Sequence, residues 1–559
     1  MLKKLLFLLL LAAPALGTTR YVAQTPGLFV GGTNCNGHIA IDASAFNATA
    51  QSPDDINWVC GGIVGAANSN ILIVNGSGTS GHNILINFDS GSSLQSPVCA
   101  ADGGGTGDGG CLSLYNRSFI TVDGRNIGSA SLSSLSGGGF IQNTDNGDAK
   151  GHHCGAPHSG DTDCLTTLID AFAAHDITIE NLILDNAYVK VLNDTSAGVG
   201  GDQQHAITFS GSHVIFTNNQ IDDCGWCLFY NYLNNQTDAN IYLNEFSHFG
   251  HAIMYATANS GASSINPALR LYSNVIQSPN NWTTPACGFH NDGLHAFGVL
   301  GDSSMDGLFI SNNWFKGTWG HCATGFIYIE KGSSQPSNAK TIAIWNNVGD
   351  ATTETTWQNS NGWFGVFEGD SGTQKIYNNT LIGNASTTNT LALGQQALSA
   401  LSSENNVLSG FENPIQIRSS SLSVVDNNFY GGTQVCANGN NCYDYNGVFQ
   451  GSLAAWRTAC SCDPNAVANT NPLLNSDGSP QGNSPVLGIG VNLTSQATGE
   501  LASLQFDTTL GGTRTPLRRP SVGKWDAGAF TLSQSGPSAP IGFIFALKIN
   551  WAPRPTSGK

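Results

Sequence analysis

Six histidines and carboxylates in the middle of this 559-residue chain recur beside short apolar segments and could take part in acid–base chemistry. When the segments are aligned, the polar residues fall at equivalent or nearly equivalent positions: His205, His251, Asp292, His295, Glu330 and Glu368. Imidazoles and carboxylates placed near a reacting bond can remove and supply protons. The candidate catalytic residues are therefore Asp292, His295, Glu330, Lys331 and His251.

Aromatic residues interleave with this polar row. Aromatic rings offer flat apolar faces with polar edges, against which sugar rings can stack. We therefore predict a polysaccharide ligand, contacted by Trp226, Tyr230, Tyr255, Tyr328, Glu368 and His205. The competing interpretation is that each of these residues is a solvated or hydrogen-bonded structural residue.

Two kinds of glycan chemistry are compatible with the row. Carboxylates on adjacent turns would lie about 4.8 Å apart, the spacing of the strands. This distance is close to the separation of about 5–5.5 Å between the two carboxyl groups of retaining glycosidases, and carboxylates two turns apart approach the separation of about 6.5–9.5 Å in inverting glycosidases. A lyase instead needs a base that removes the proton beside a uronate carboxylate. The candidates for that base are Lys331, Arg270, His295 and Tyr328.

A lyase also needs a cation to neutralise the uronate carboxylate. Calcium binds hard oxygen ligands, and the candidate ligands are Asp202, Asp222 and Asp223. Capping of tight turns is the alternative role for the same side chains. Ca2+ is thus the predicted cofactor.

An asparagine repeat indicates which elements position these residues. Apolar strands end in asparagine followed by another apolar residue, as in Ile241-Tyr242-Leu243-Asn244-Glu245-Phe246. Such a repeat is typical of a solenoid. Asparagine tolerates the left-handed backbone of a bend, and its amide can bond to neighbouring turns. The repeated asparagines are Asn181, Asn219, Asn244, Asn274, Asn313, Asn346, Asn379, Asn406 and Asn428.

This pattern resembles the right-handed parallel β-helix superfamily, which includes pectate-lyase-like secreted proteins. Near the start, apolar strands at 71–74 and 84–88 flank a Gly-Ser-Gly-Thr turn, and residues 483–488 and 525–530 resemble closing segments of such proteins. The resemblance implies an all-β fold, a right-handed parallel β-helix (solenoid) with loop insertions. For activity it leaves lyases, hydrolases, epimerases and non-catalytic binders open.

The N-terminus and the charge indicate an exported, acidic protein. Residues 1–17 have the charged, apolar and small-residue regions of a signal peptide. We predict a β-helix domain at 18–530, a C-terminal tail at 531–559, and secretion to the extracellular space or periplasm. The net charge of −17 disfavours nucleic acid as a partner. No segment is long enough to span a membrane, and a monomer is expected.

The 14 cysteines are an even number, which is typical of disulfides in an exported protein. Cys224 and Cys227 form a CxxC pair that resembles a redox or zinc half-site, but without a second such pair a disulfide or buried thiols are expected. Other close pairs predict local disulfides: Cys99 with Cys111, Cys154 with Cys164, Cys436 with Cys442, and Cys460 with Cys462 or a neighbour.

Two hypotheses for function follow. The first is lyase or glycoside hydrolase action on a polysaccharide, on the outer face of the β-helix around Asp292 and His295. The second is a non-catalytic surface-binding or adhesion β-helix protein. They differ in turnover, since only the first releases cleaved products.

Overall fold

The computed structural model describes most of the chain as short strands that follow one another at regular intervals. Residues 1–16 and 533–559 lie outside the described residues, so most of the predicted signal peptide and C-terminal tail is not covered. The described range 17–532 also excludes the internal segments 102–106, 126–137, 148–164, 191–203, 231–237, 259–267, 284–286, 288–289, 301–306, 331–340, 355–361, 368–372, 385–389, 398–399, 420–421 and 433–441.

Three ladders of parallel strands make up the architecture within the described residues. The first is a 13-stranded sheet paired in chain order. Its strands are Thr19–Ala23, Ile56–Cys60, Ile84–Phe88, Ser118–Asp123, His175–Glu180, Val214–Thr217, Asp238–Tyr242, Ala268–Tyr272, Gly307–Ser311, Thr341–Trp345, Thr373–Tyr377, Ala400–Glu404 and Leu422–Asp426.

The second and third ladders share two long strands, Gln220–Tyr230 and Glu245–Ala258. The other strands of the second are Gly62–Val64, Ser93–Ser96, Phe140–Asn143, Ile183–Asp185, Val275–Gln277, Trp314–Lys316, Val348–Asp350, Thr380–Ile382, Val407–Ser409, Phe429–Gly431 and Val467–Thr470. The other strands of the third are Thr166–Phe172, Gln204–Ser210, Asn291–Leu300, Ala323–Glu330, Phe364–Phe367, Leu391–Ala397, Asn413–Ser419 and Tyr443–Tyr445.

A few short elements lie outside the three ladders. Gly27–Leu28 pairs with Ile39–Ala40 and Val448–Gln450 with Tyr443–Tyr445, both antiparallel, and Leu72–Ile73 pairs with Leu112–Ser113 in parallel. The α-helices are Ala43–Asn47 and Leu453–Cys460, and the 3-10 helices are Pro279–Trp282 and Gly499–Gln505.

Aliphatic residues stack inside the coil because equivalent positions on successive turns face inward. In the first ladder Ile84 pairs with Ile120, Ile120 with Ile177 and Ile177 with Val214, and all four are buried. Burial of such side chains drives folding, and each contributes about 1.5–3 kcal/mol. The predicted parallel β-helix is therefore confirmed. Parallel crossovers are right-handed in nearly all proteins.

A ladder of buried asparagines runs along one edge, as the repeat predicted. Each member after Asn219 accepts at Oδ1 from the backbone N–H and side-chain Nδ2 of the preceding member, and the amide–amide distances are 3.0 Å. The members are Asn219, Asn244, Asn274, Asn313, Asn347, Asn379, Asn406 and Asn428.

Two details of the asparagine prediction were wrong. Asn347, not Asn346, belongs to the ladder. Asn181 is not a member either, and its side chain accepts from Asn218, the residue that precedes ladder member Asn219. The left-handed backbone lies one residue before the ladder, with φ of 55° at Asn346 and 58° at Asn181. Bending and amide stacking are therefore done by two adjacent residues, which explains the frequent Asn-Asn pairs.

Both ends and one face of the coil are covered. Phe46 of the first helix and Trp456 of the second are fully buried in the main core. After Thr470 the described chain runs along the outside, where Leu501, Leu504 and Trp525 pack on Trp345 and Tyr377 of the first ladder. The outer face of the first ladder is thus partly occupied by the chain itself, and the candidate site lies on the third ladder.

Several disulfides are present among the described residues. The predicted pairs Cys99–Cys111 and Cys460–Cys462 are confirmed, and Cys224–Cys227 is a disulfide. Cys35–Cys60 and Cys287–Cys322 join residues that are distant in sequence and were not predicted. Cys154, Cys164 and Cys436 lie outside the described residues. In the described part of the chain, no helix is long and apolar enough to cross a membrane.

Candidate functional site

The strand register places the predicted polar row on successive turns of the third ladder. His205 pairs with Trp226, Trp226 with His251, and His251 with Asp292. His295 lies in the adjacent row of the same ladder and pairs with Tyr328. Residues far apart in sequence therefore share one small area, as the aligned segments predicted.

Three imidazoles converge on one carboxylate oxygen. Asp292 Oδ2 lies 3.3 Å from His251 Nε2, 3.3 Å from His290 Nε2 and 3.6 Å from His295 Nδ1. His251 Nε2 is also 3.2 Å from His295 Nδ1. The other oxygen, Asp292 Oδ1, accepts the backbone N–H of Gly325 at 3.1 Å, which orients the carboxylate.

A second carboxylate lies on the far side of the His295 ring. Glu330 Oε1 accepts from His295 Nε2 at 3.0 Å, and Glu330 Oε2 accepts from the Tyr328 hydroxyl at 2.8 Å. Because an ionised carboxylate can only accept, Nε2 carries the proton of a neutral His295. His295 Nδ1 then presents a lone pair to Asp292 and His251.

Burial and these hydrogen bonds set the protonation states. Burial lowers the pKa of His251, lowers that of His290 to about 4, and raises the pKa of Asp292. Burial opposes ionisation of Glu330, but hydrogen bonds from His295 and Tyr328 hold its pKa below the ordinary value. Burial, together with the Glu330 charge, raises the pKa of Tyr328. Glu330 is thus an acceptor and Tyr328 a donor at neutral pH.

Only part of the cluster reaches solvent. The side chains of His290 and Glu330 are 44% and 36% exposed, whereas that of Asp292 is fully buried. A large substrate can therefore touch His290 and Glu330, but the Asp292 carboxylate lies behind the histidines. This placement argues against direct contact between Asp292 and a sugar.

Two of the four predicted sugar-stacking aromatics lie in the core. Tyr230 and Tyr255 stack on one another with ring centroids 4.7 Å apart, and both are buried in the main apolar cluster. Neither presents a free ring face to a glycan, so their predicted role is corrected to packing. Trp226 and Tyr328 are half-buried and remain candidates.

The structure adds His290 to the site and moves His205 to its margin. His205 Nδ1 lies 2.9 Å from Thr208 Oγ1, and its ring is buried between Trp226 and Phe229. The sequence signal for His290 was the close spacing His290-Asn291-Asp292-Gly293-Leu294-His295. His290 precedes the strand and was absent from the aligned segments.

Other predicted residues divide between a different surface and undescribed segments. Arg270 lies on the first ladder and is paired with Asp238 and Glu500, which removes it as a candidate base. Lys331, Glu368 and Asp202 lie outside the described residues. Their predicted roles stay predictions.

The two remaining aspartates of the calcium prediction form a separate cluster with a histidine. Asp222 Oδ1 accepts from His248 Nδ1 at 2.7 Å and from Ser247 Oγ at 2.9 Å, and Asn281 Nδ2 lies 3.4 Å from Asp223 Oδ1. An imidazole is not a usual Ca2+ ligand. Calcium therefore remains a prediction, with its third ligand, Asp202, undescribed.

Asp223 is expected to make stability depend on pH. Burial and the Asp222 charge raise its pKa to about 7. The folded state then binds more protons than the unfolded chain between about pH 4 and pH 7, so the free energy of unfolding falls as pH rises through this window. Asp223→Asn should stabilise the protein by on the order of 1 kcal/mol at pH 8 and leave it unchanged below pH 4.

Urea unfolding at both pH values measures this effect. Asp222→Asn is the contrast, because it loses the bonds from His248 and Ser247 and should destabilise the protein at pH 8. Equal destabilisation by Asp223→Asn at the two pH values would contradict the assignment.

Comparisons with known proteins find similar solved structures but assign the chain to no family. No family model and no curated protein matches the chain. Among solved structures it is similar to a GH136 lacto-N-biosidase from Eubacterium ramulus, at 11% identity over 77% of this chain and 68% of that chain, with a TM-score of 0.37.

Two further solved structures are similar at the same level. Pectate lyase Pel9A matches at 13% identity over 94% of both chains, with a TM-score of 0.30. The tailspike protein of E. coli bacteriophage HK620, in complex with a pentasaccharide, matches at 9% identity over 77% of this chain and 78% of that chain, with a TM-score of 0.31. Identities and TM-scores this low assign no activity, and the fold rests on the strand register.

Proposed function

We propose that this protein is a secreted polysaccharide lyase that acts on the outer face of the third ladder. The observation that carries the proposal is the 2.8 Å hydrogen bond from Tyr328 to the partly exposed Glu330, whose other carboxylate oxygen accepts from His295. The site is thereby suited to proton transfer beside a carboxylate-bearing sugar.

A two-carboxylate hydrolase is less well supported by the same geometry. Such enzymes place the glycosidic bond, and in one class a water molecule, between two carboxyl groups. Here an imidazole occupies the space between Asp292 and Glu330, and Asp292 is fully buried. These two residues therefore do not form an accessible acid–base pair across a sugar.

Glu330 and Tyr328 supply the proton transfers in the proposed elimination. Glu330 takes the proton on the carbon beside the uronate carboxylate, a carbon–carbon double bond forms, and the adjacent bond to the glycosidic oxygen breaks. The Tyr328 hydroxyl gives its proton to the leaving oxygen. The 2.8 Å hydrogen bond between the two side chains then returns the proton from Glu330 to Tyr328.

The product screen tests this proposal. The protein is incubated with neutral and acidic polysaccharides, and ultraviolet absorbance of unsaturated sugars is measured alongside new reducing ends. We expect both signals with a uronate-containing substrate. Reducing ends without unsaturated sugars would indicate a hydrolase, and binding without either signal would support the non-catalytic alternative. Both results contradict the lyase proposal.

Trp226 is expected to hold substrate beside the cluster. Its half-buried ring is 6.0 Å from His251 and is packed by Phe229. Since aromatic stacking contributes about 0.5–1.5 kcal/mol, Trp226→Ala should raise KM about tenfold with a smaller change in kcat. Trp58→Ala, on the first ladder, is the control. An unchanged KM would remove Trp226 from the substrate surface.

A further inference from the structure

We propose that His251, His290, Asp292 and His295 bind one divalent transition-metal ion, with Zn2+ as the best match. Their ligand atoms all lie within 4.8 Å of one another. The inference goes beyond the proposed function, because an ion whose four positions are filled by protein ligands would stabilise the site without contacting the glycan. Metal binding itself is measurable without a glycan.

The spacing of the four ligand atoms fits a tetrahedral site. Zinc lies about 2.0–2.2 Å from nitrogen and oxygen ligands, so neighbouring ligand atoms of a tetrahedron are about 3.3–3.6 Å apart. Four of the six separations among the ligand atoms are 3.2, 3.3, 3.3 and 3.6 Å, and the two between His290 and the other histidines are at most 4.8 Å. A single ion at the centre would therefore reach all four residues.

Hydrogen bonding alone leaves the centre of this cluster unsatisfied. Asp292 Oδ2 and His290 Nε2 are buried and have no hydrogen-bond partner, although they lie 3.3 Å apart. A proton on His251 Nε2 could be donated to either Asp292 Oδ2 or His295 Nδ1, but not fully to both. The remaining acceptor atoms would then face one another without a donor. Buried polar atoms without partners are costly, and a cation at the centre would attract all four lone pairs.

The surrounding contacts orient two of the ligands. His295 donates from Nε2 to Glu330, which leaves Nδ1 free of a proton and aimed at the cluster. The Gly325 N–H holds Asp292 Oδ1, so Oδ2 points the opposite way. A metal-ligating histidine usually donates its second N–H to a carboxylate or carbonyl in this manner.

The donor set selects the class of metal. Three imidazoles and one carboxylate suit Zn2+ and neighbouring transition metals, whereas Ca2+ and Mg2+ prefer sites built from oxygen. The remaining histidine-containing groups in the described residues are less suitable. Cys287 and Cys322 are joined in a disulfide, and Asp222 and His248 already bond to each other.

Equilibrium dialysis of the chelator-treated full chain against Zn2+ alone, with metal analysis, tests the site. We expect one Zn2+ per chain. His290→Gln and Asp292→Asn should weaken binding at least 100-fold, and Glu330→Gln by about 10–100-fold through its bond to His295. His290 is partly exposed, so its variant is expected to fold, which circular dichroism checks.

Two matched controls separate this site from others. His213→Gln removes an exposed histidine, and Asp222→Asn alters the other acidic cluster, so both should keep full zinc affinity. Absence of saturable binding, or loss of binding in Asp222→Asn but not in His290→Gln, overturns the inference. Stoichiometric zinc without glycan cleavage contradicts only the proposed function, whereas cleavage without zinc binding contradicts only this inference.

Discussion

Glu330→Gln is expected to lower kcat for glycan cleavage by about 10²–10⁴-fold, the usual contribution of a positioned acid–base group. Glutamine retains the shape of glutamate but cannot take a proton from the sugar. Glu330 is also the ionised acceptor for both His295 and Tyr328. The substitution therefore also removes the charged group that accepts from the Tyr328 hydroxyl. Initial rates of unsaturated-product formation measure the effect.

Tyr328→Phe and Glu500→Gln complete this experiment. Tyr328→Phe removes only the hydroxyl that donates to Glu330, and it should lower kcat by a similar factor. Glu500 is an exposed glutamate paired with Arg270, away from the third ladder, so Glu500→Gln should retain wild-type rates. Full activity in Glu330→Gln would show that this carboxylate takes no part in proton transfer.

Asn347→Ala is expected to lower the free energy of unfolding by on the order of 3 kcal/mol. Its amide donates to Ile310 O and Asn379 Oδ1, and its Oδ1 accepts from Asn313. Truncation would leave buried donors and acceptors on both neighbouring turns without these partners. Urea unfolding followed by circular dichroism measures the change.

Asn475→Ala is the matched control for the ladder. Asn475 is exposed, and its side-chain amide donates to Ser479 within a short turn. Its loss should therefore cost less than about 0.5 kcal/mol. Similar destabilisation by the two variants would mean that the amide ladder adds little to the stability of the coil.

The period of the asparagine repeat was sufficient to predict the coil, but not the exact ladder member. Asn346 and Asn347 are adjacent, and asparagine is suited to each position for a different physical reason. Asn346 takes the left-handed backbone, and Asn347 bonds to Asn313 and Asn379. Since composition is the same at both positions, only backbone geometry distinguishes them.

The same limit applies to the aromatic residues. Trp226, Tyr230 and Tyr255 all lie on the predicted strands, and the sequence offered no means to separate core from surface. The structure buries Tyr230 and Tyr255 and leaves Trp226 partly open. Trp226 and Tyr230 are four residues apart on one strand, so a fixed period of two predicts the same facing for both, whereas their burial differs.

The sequence by itself determined the parallel β-helix, the placement of His251 and Asp292 on adjacent turns with His295 on the same strand as Asp292, and part of the disulfide set. Each depends on local pattern and on a regular repeat, which places distant residues on adjacent turns. Only the tertiary structure decided that His290 lies beside these residues and that Asp292 Oδ2 is enclosed by three imidazoles. Side-chain direction and burial depend on packing across turns, which the spacing of residues along the chain does not specify.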